Sequence, residues 1–221
     1  MADRTYRWLL VSLAVIGLTA DQTSKYGVFK WLYKDGQFSD NSRTGNDHVV
    51  VPRWFKLIAQ FDPDAPLGDT GLASLQTVSA PVMPRVNHGA LFGLGGSHKG
   101  LANGIFAAVS VAAALAIVVW GTRPNTSRER GLMAALGLIL GGTVGNLYDR
   151  LVFGGVRDFL YFCVQNDEGR VVFDWPVFNV ADCCLVVGAG LLLVQAVFVH
   201  PTVEQSAVPE PATAVPEAPK V

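Results

Sequence analysis

One aspartate of this 221-residue sequence lies inside an otherwise apolar run. Phe178–Val199 is long enough to cross a bilayer, and Asp182 is its only charged residue. A carboxylate in a membrane helix costs about 2.5–3.5 kcal/mol at mid-helix and less near the interface, so such residues usually face the bundle interior and have a function. Asn179, one turn earlier on the same face, can hold this carboxylate by hydrogen bonding. Asp182 is therefore the first candidate for a catalytic group.

Hydrolytic chemistry at Asp182 needs a second carboxylate. Two carboxylates held close together share one proton, so the ionised one can take a proton from water while the protonated one polarises a scissile carbonyl. The preceding loop offers four partners, Asp149, Asp158, Asp167 and Asp174. Asp167 lies in a polar, hairpin-like stretch and is expected to be solvated. Spacing leaves the choice among Asp149, Asp158 and Asp174 open.

The composition is typical of a membrane protein. Hydrophobic residues make up 50% of the chain and charged residues 16%, whereas soluble domains carry about 25% charged residues. The net charge of −1 gives no basic field for nucleic acid. The three cysteines are odd in number, two are adjacent, and none forms a C-x-x-C pair, which argues against a disulfide framework or a zinc site.

Apolar runs of the right length predict four membrane helices, because a bilayer core of about 30 Å needs roughly 20 helical residues. They fall at about 7–25, 101–120, 131–148 and 178–199. The first is expected to stay attached rather than to be cleaved as a signal peptide. Arginines before the first helix and between the second and third predict that both termini are cytoplasmic.

The sequence thus predicts an all-α membrane protein, a four-transmembrane-helix bundle over residues 1–200 with a small β-rich extracytoplasmic subdomain. The subdomain, about 36–86, contains runs of β-forming residues at Val49–Val51, Trp54–Ile58 and Gln76–Val78, separated by turn signals. Residues 201–221, rich in Pro, Ala and Glu, are expected to be a disordered cytoplasmic tail.

A stripe of small residues on the third predicted helix indicates close helix packing. Gly137, Gly141 and Gly145 recur at every fourth position and therefore share one face. Small residues let a neighbouring helix backbone approach closely, and such packing drives association in lipid.

The predicted topology gathers polar residues from distant parts of the chain at the extracytoplasmic face. They are Asp21 and Lys25 at the end of the first helix, Asn87–Gly93 before the second, Asn146, Asp149 and Arg150 at the end of the third, and Asn179 and Asp182 at the start of the fourth. Plainer interpretations exist. Asp21 and Lys25 can be a simple i, i+4 ion pair, and Asp149 with Arg150 can be a salt-bridged helix end.

These motifs, in this order, resemble the lipoprotein signal peptidase family, also called signal peptidase II. The resemblance is carried by Asp21–Lys25, Asn87–Gly93, Gly145–Arg150, Val156–Phe159 and Phe178–Asp182. It implies an aspartic endopeptidase of the bacterial inner membrane, with Asp158 and Asp182 as the catalytic pair and its site near the extracytoplasmic face. The implied substrates are prolipoproteins, cut before a diacylglyceryl-modified cysteine, so the partners are these substrates and membrane lipids. No cofactor and no metal are expected.

The same resemblance implies roles for the remaining motif residues. Asn146, Arg150 and Asn179 line and organise the site, and Asp149 is structural. Positions near the substrate are implied for Asp21, Lys25, Asn87 and Gly89. The chain departs from the family in a longer segment before Asn87, an extended stretch between the two implied catalytic residues, and a cysteine after Asp182 where serine is common.

A transporter or proton-relay protein using the intramembrane Asp182 is the alternative function. It predicts polar residues along the full membrane depth, whereas the second helix offers only Asn103 and Ser110. A catalytically inactive protein on the same fold would be favoured by loss of a motif residue, and all the motif residues are present.

Overall fold

The computed structural model describes residues 5–33, 46–68, 72–89 and 99–198. The helices in this part of the chain are α1 (Arg7–Leu32), α2 (Ala73–Gln76), α3 (Lys99–Thr122), α4 (Pro124–Arg128), α5 (Arg130–Phe153) and α6 (Val180–Phe198). The strands are β1 (Asn46–Val51), β2 (Phe55–Ala59), β3 (Phe61–Asp62), β4 (Met83–Pro84), β5 (Leu160–Gln165) and β6 (Val171–Asp174). The predicted tail at 201–221 and the motif positions 90–93 lie outside the described residues.

Three of the described helices, α3, α5 and α6, are long and apolar enough to cross a membrane. The remaining predicted span is the first one, α1. It is 26 residues long but carries Asp21, Lys25 and Lys30, and it is not among these three. Helices α1 and α5 also continue beyond their predicted ends, to Leu32 and Phe153. The observed architecture is therefore a helical membrane protein with three spans by length and composition and a small antiparallel sheet.

Helix α5 is the centre of the bundle, since α1, α3 and α6 all pack against it. Its glycine stripe faces α1, which confirms the predicted close contact with a neighbouring helix. A Cβ atom at Gly137 would lie 2.7 Å from the carbonyl oxygen of Leu10, and one at Gly141 would lie 2.8 Å from that of Ala14. The backbones of α1 and α5 can approach this closely only because these positions lack side chains.

The main sheet joins two separate loops of the chain. Its antiparallel order is β1-β2-β5-β6, so a hairpin after α5 pairs with strands that follow α1. The predicted runs at 49–51 and 54–58 fall in or overlap β1 and β2. The prediction for Gln76–Val78 is wrong, because Gln76 ends the short helix α2. Its side-chain amide donates to the carbonyl oxygen of Val152 at 2.7 Å, which docks this segment on the end of α5.

A small apolar cluster fixes the sheet to the bundle. It contains Phe29 and Leu32 from the end of α1, Ala59 from β2, and Phe159, each at most 3% exposed. Burying a large apolar side chain contributes about 1.5–3 kcal/mol. The cluster therefore anchors the segment that contains Asp158 against the C-terminal end of α1.

Candidate active site

Backbone hydrogen bonds hold the segment around Asp158 on both sides. On the N-terminal side Val156 and Asn87 exchange two bonds, with N···O distances of 2.8 and 2.7 Å. On the C-terminal side Leu160 and Phe178 exchange two more, at 2.8 and 3.0 Å. Asp158 therefore lies in a short extended stretch fixed between the loop before α3 and the residue that leads into α6.

Asp182 belongs to a reciprocal cap at the start of α6. The backbone N–H of Asp182 donates to Asn179 Oδ1 at 3.0 Å, and the backbone N–H of Asn179 donates to Asp182 Oδ2 at 3.1 Å. This exchange satisfies two N–H groups that a helix start leaves without partners. A carboxylate at this position also interacts favourably with the helix dipole. The expected hydrogen bonding between Asn179 and Asp182 is confirmed, with the backbone as donor.

Side-chain amides connect the two aspartates. Asn179 Nδ2 donates to Asp158 Oδ1 at 2.7 Å, and Asn87 Nδ2 donates to Asp158 Oδ2 at 3.0 Å. Asn146 Nδ2 donates to Asp182 Oδ1 at 2.8 Å. Asn146 and Asn179 also contact each other, with Nδ2 of Asn179 donating to Oδ1 of Asn146 at 3.2 Å. Both carboxylates are thus oriented by one chain of amides.

The pKa of Asp158, which lies in a loop outside the helices, is raised to about 6. Burial is the largest cause, and the negative charge of Asp182 acts in the same direction. The hydrogen bonds from Asn87 and Asn179 oppose the rise because they stabilise the ionised carboxylate. Asp158 can therefore gain and lose a proton near neutral pH, as acid–base catalysis requires.

A buried network of four charges lies beneath the amides. Lys25 Nζ is 2.8 Å from Asp21 Oδ2 and 3.3 Å from Asp149 Oδ2, and Arg157 Nη2 is 2.8 Å from Asp149 Oδ1. These side chains are at most 1% exposed, and the two cations balance the two anions. Lys25 also donates to Asn146 Oδ1 at 3.2 Å, which links the network to the site.

Asp149 and Arg150 do not form the helix-end pair that the sequence left open. The ion pairs of Asp149 are with Lys25 and Arg157. Arg150 instead donates to the backbone oxygen of Asn146 at 3.2 Å, and its guanidinium carbon lies 5.3 Å from the ring centroid of Phe106 on α3. The Asp21–Lys25 ion pair does form, within the larger network.

Arg157 and Gln22 belong to this network and were missed in the sequence. The Arg157 guanidinium lies between two rings, 4.2 Å from the centroid of Tyr26 and 3.9 Å from that of Phe153. Its Nη2 donates to Gln22 Oε1 at 3.0 Å, and Gln22 Nε2 donates to Asp21 Oδ2 at 2.9 Å. The available signal was an arginine within the short apolar stretch before Phe159.

Gly89 occupies a position that only glycine fits. Its φ of +82° is strained for other residues, and a Cβ atom there would collide with the ring of Phe106. Its N–H donates to Asn87 Oδ1 at 2.9 Å. His88 Nδ1 contacts the carbonyl oxygen of Gly154 at 2.9 Å, so the ring is held at the end of α5.

A cleft of about 400 Å³ opens beside Asp158. It lies between the sheet and the loop before α3, and Asn87 and Asp174 line it as well. Asp174 lies on β6, and Asp167 is 94% exposed and pairs with Arg53 at 2.7 Å. Of the partners left open for Asp182, Asp158 is the one joined to it through the amides.

The fold is similar to that of solved bacterial membrane enzymes. Two solved bacterial membrane enzymes superpose with TM-scores of 0.59 and 0.60 at 20% and 21% sequence identity. The alignments cover 89% and 90% of this chain and 92% and 98% of those structures.

The sequence comparisons give the family. The protein-family model for signal peptidase (SPase) II matches residues 80–198 of this chain. A lipoprotein signal peptidase of Rhodopirellula baltica is 41% identical, over 85% of this chain and 71% of that protein. Another, from Cupriavidus necator, is 42% identical, over 66% of this chain and 76% of that protein. The chain therefore belongs to the signal peptidase II family, the membrane peptidases that remove signal peptides from prolipoproteins. The predicted family and its peptidase activity are confirmed.

Proposed function

We propose that this chain is an aspartic endopeptidase in which Asp158 and Asp182 cleave prolipoproteins before a diacylglyceryl-modified cysteine. The observation that carries the proposal is that Asn179 donates to both carboxylates. Its side-chain amide bonds Asp158 at 2.7 Å and its backbone N–H bonds Asp182 at 3.1 Å. One residue thus fixes the positions of two acids that are distant in sequence, as a shared-proton pair requires.

The reaction needs one proton on the pair. The ionised aspartate takes a proton from a water molecule, which attacks the scissile carbonyl, while the protonated aspartate donates a hydrogen bond to the carbonyl oxygen. The proton is then passed to the leaving amine, and the C–N bond breaks. Because interacting acids titrate as a pair, base and acid are not assigned separately to Asp158 and Asp182.

The amides and the buried charges support the pair rather than react. The side-chain amide of Asn146 donates to Asp182 through Nδ2, so its Oδ1 must point away from Asp182. Lys25 holds this orientation because it donates to Oδ1 at 3.2 Å. Lys25 and Asp21 are 0% exposed, so their proposed role is to organise the site rather than to touch substrate. Asp149 is structural because it binds both buried cations.

Two other motif residues face the space beside α3. Arg150 and Gly89 both contact or closely approach Phe106 of that helix. Their proposed role is to line the substrate path, since an arginine there can hydrogen-bond a peptide carbonyl.

We also propose that α1 is a fourth membrane span. Its buried pair Asp21 and Lys25 does not face lipid, and the surface that it does expose includes Trp8, Val15 and Ile16. At 1.5 Å per residue the helix is about 39 Å long, enough to cross the roughly 30 Å hydrocarbon core. With four spans and both termini cytoplasmic, the site lies near the outer face of the bacterial inner membrane. There the lipid chains of the substrate stay in the bilayer while the scissile bond reaches water.

Cleavage of a diacylated prolipoprotein by the purified full-length protein tests the catalytic pair. Asp158→Asn and Asp182→Asn should each lower turnover by about 10²–10⁴-fold, the usual contribution of a general acid or base. Asp174→Asn, which alters another carboxylate of the same cleft, is the matched control and should retain activity. Near-normal turnover by either of the first two variants would sink the assignment. Equal cleavage of the same substrate without its lipid would refute the proposed substrate class.

A further inference from the structure

An apolar groove runs between α1 and α3, away from the aspartate pair. Two adjoining cavities form it, of about 340 and 400 Å³. Both are lined by Ala14, Val15, Val118 and Leu140. Helices α1 and α3 both pack on α5, and small side chains such as Ala14 leave the space between them open.

The length of the groove matches one leaflet of a bilayer. On α1 it extends over the twelve residues from Arg7 to Leu18, which at 1.5 Å per residue is about 18 Å. Half of a hydrocarbon core of about 30 Å is about 15 Å. A membrane-spanning helix would need the full thickness, whereas an acyl chain of a single lipid fits this depth.

The end of the groove farthest from the aspartates is positively charged. Arg7 lines it and donates from Nη2 to the carbonyl oxygen of Thr122 at 2.9 Å. Exposed Arg123 follows Thr122 directly. Within the described segments no carboxylate forms an ion pair with Arg7 or Arg123. A guanidinium has five N–H donors in a fork that suits a phosphate, so further donors of Arg7 remain for one.

We propose that this groove binds one anionic phospholipid, with an acyl chain between α1 and α3 and the phosphate at Arg7. The charge of the rim selects an anionic over a zwitterionic headgroup, because neither of the two arginines there forms an ion pair within the described residues. The lipid fills the gap that α1 and α3 leave beside α5. The inference rests on the fourth membrane span proposed for α1.

Native mass spectrometry of the full-length protein, released from nanodiscs of equal parts phosphatidylglycerol and phosphatidylcholine, tests the site. The wild-type protein should retain one bound lipid, and the phosphatidylglycerol-bound form should be at least about tenfold more abundant than the phosphatidylcholine-bound form. Arg7→Gln should lose this preference, and Val118→Trp, which fills the groove from an exposed position on α3, should lose the bound lipid. Arg53→Gln, an exposed arginine on the sheet side, is the control and should behave as wild type.

Equal retention of both lipids by wild type, or an unchanged preference in Arg7→Gln, would overturn the proposal. So would displacement of the lipid by inorganic phosphate alone, or crosslinking of a substrate signal helix at position 118. The cleavage assay on the same wild-type preparation separates the two ideas. Active protein without selective lipid retention refutes the lipid site and leaves the catalytic proposal intact.

Discussion

Replacing Asn87 by alanine should move the pH dependence of cleavage to higher pH. The side-chain amide of Asn87 donates to Asp158 Oδ2 at 3.0 Å, which stabilises the ionised carboxylate. Without this donor the protonated form is favoured, so the pKa of Asp158 should rise above its value of about 6. The backbone bonds between Asn87 and Val156 do not involve the side chain and should persist.

The size of the effect follows from the exposure of Asn87. A hydrogen bond to a charged group is worth about 1.5–3 kcal/mol. Asn87 is exposed, so water replaces part of the lost bond, and we expect about 1 kcal/mol to remain. Since 1.36 kcal/mol corresponds to one pKa unit, the inflection should rise by about 0.7 unit.

The assay is kcat/KM for a lipidated peptide substrate, measured across the pH range. Wild type should show an inflection near the pKa of about 6, which belongs to the aspartate pair as a whole. His88→Ala is the control, because His88 contacts the carbonyl oxygen of Gly154 instead, and its inflection should stay at the wild-type pH. An unmoved or lowered inflection in Asn87→Ala would refute the reasoning. A loss of rate at every pH without such movement would assign Asn87 to substrate binding.

Two further substitutions test the packing beneath the site. Arg157→Gln removes a bond of 2.8 Å to buried Asp149 and should cost about 3–5 kcal/mol, while Arg157→Lys should recover only part because it cannot bond in two places. An unchanged melting temperature in detergent would contradict this. Gly145→Ala places a Cβ atom 2.6 Å from Asp21 Oδ2 and should destabilise by about 1–3 kcal/mol. Gly27→Ala is the control and should not destabilise the protein, because no atom lies within 4 Å of a Cβ atom there. Equal melting temperatures for the two alanine variants would contradict the predicted clash at Gly145.

The bundle was predictable because its signals are local. The apolar runs of α3, α5 and α6 reveal spans by length and composition, and the glycine stripe at Gly137 and Gly141 reveals a close helix contact. The true end of α1 was not predictable, because Phe29 and Leu32 are buried by a sheet that forms elsewhere in the chain. The strand prediction for Gln76 failed for the same reason. Its side chain bonds the end of α5, which is far away in the sequence.

The candidate site divides in the same way. Asp182 is conspicuous in an apolar run. Asn179 is only three residues earlier in the sequence, and this spacing predicts the hydrogen bond between them. Spacing could not select Asp158, because distant backbone bonds bring it to the start of α6. From the sequence, Arg157 would be expected to be an ordinary solvated arginine of a loop. Only the fold places its guanidinium between two aromatic rings.

The pairing of β2 with β5 has a consequence for how the enzyme is made. Phe55 pairs with Phe162 and Leu57 with Leu160, although each pair is separated by more than a hundred residues. Such long-range pairing forms late, because the intervening chain must first exist and be ordered. This pairing begins at Leu160, two residues after Asp158, and Asp182 lies in the first turn of the last described helix. The proposed catalytic pair can therefore form only after α6 has been made and has packed on α5.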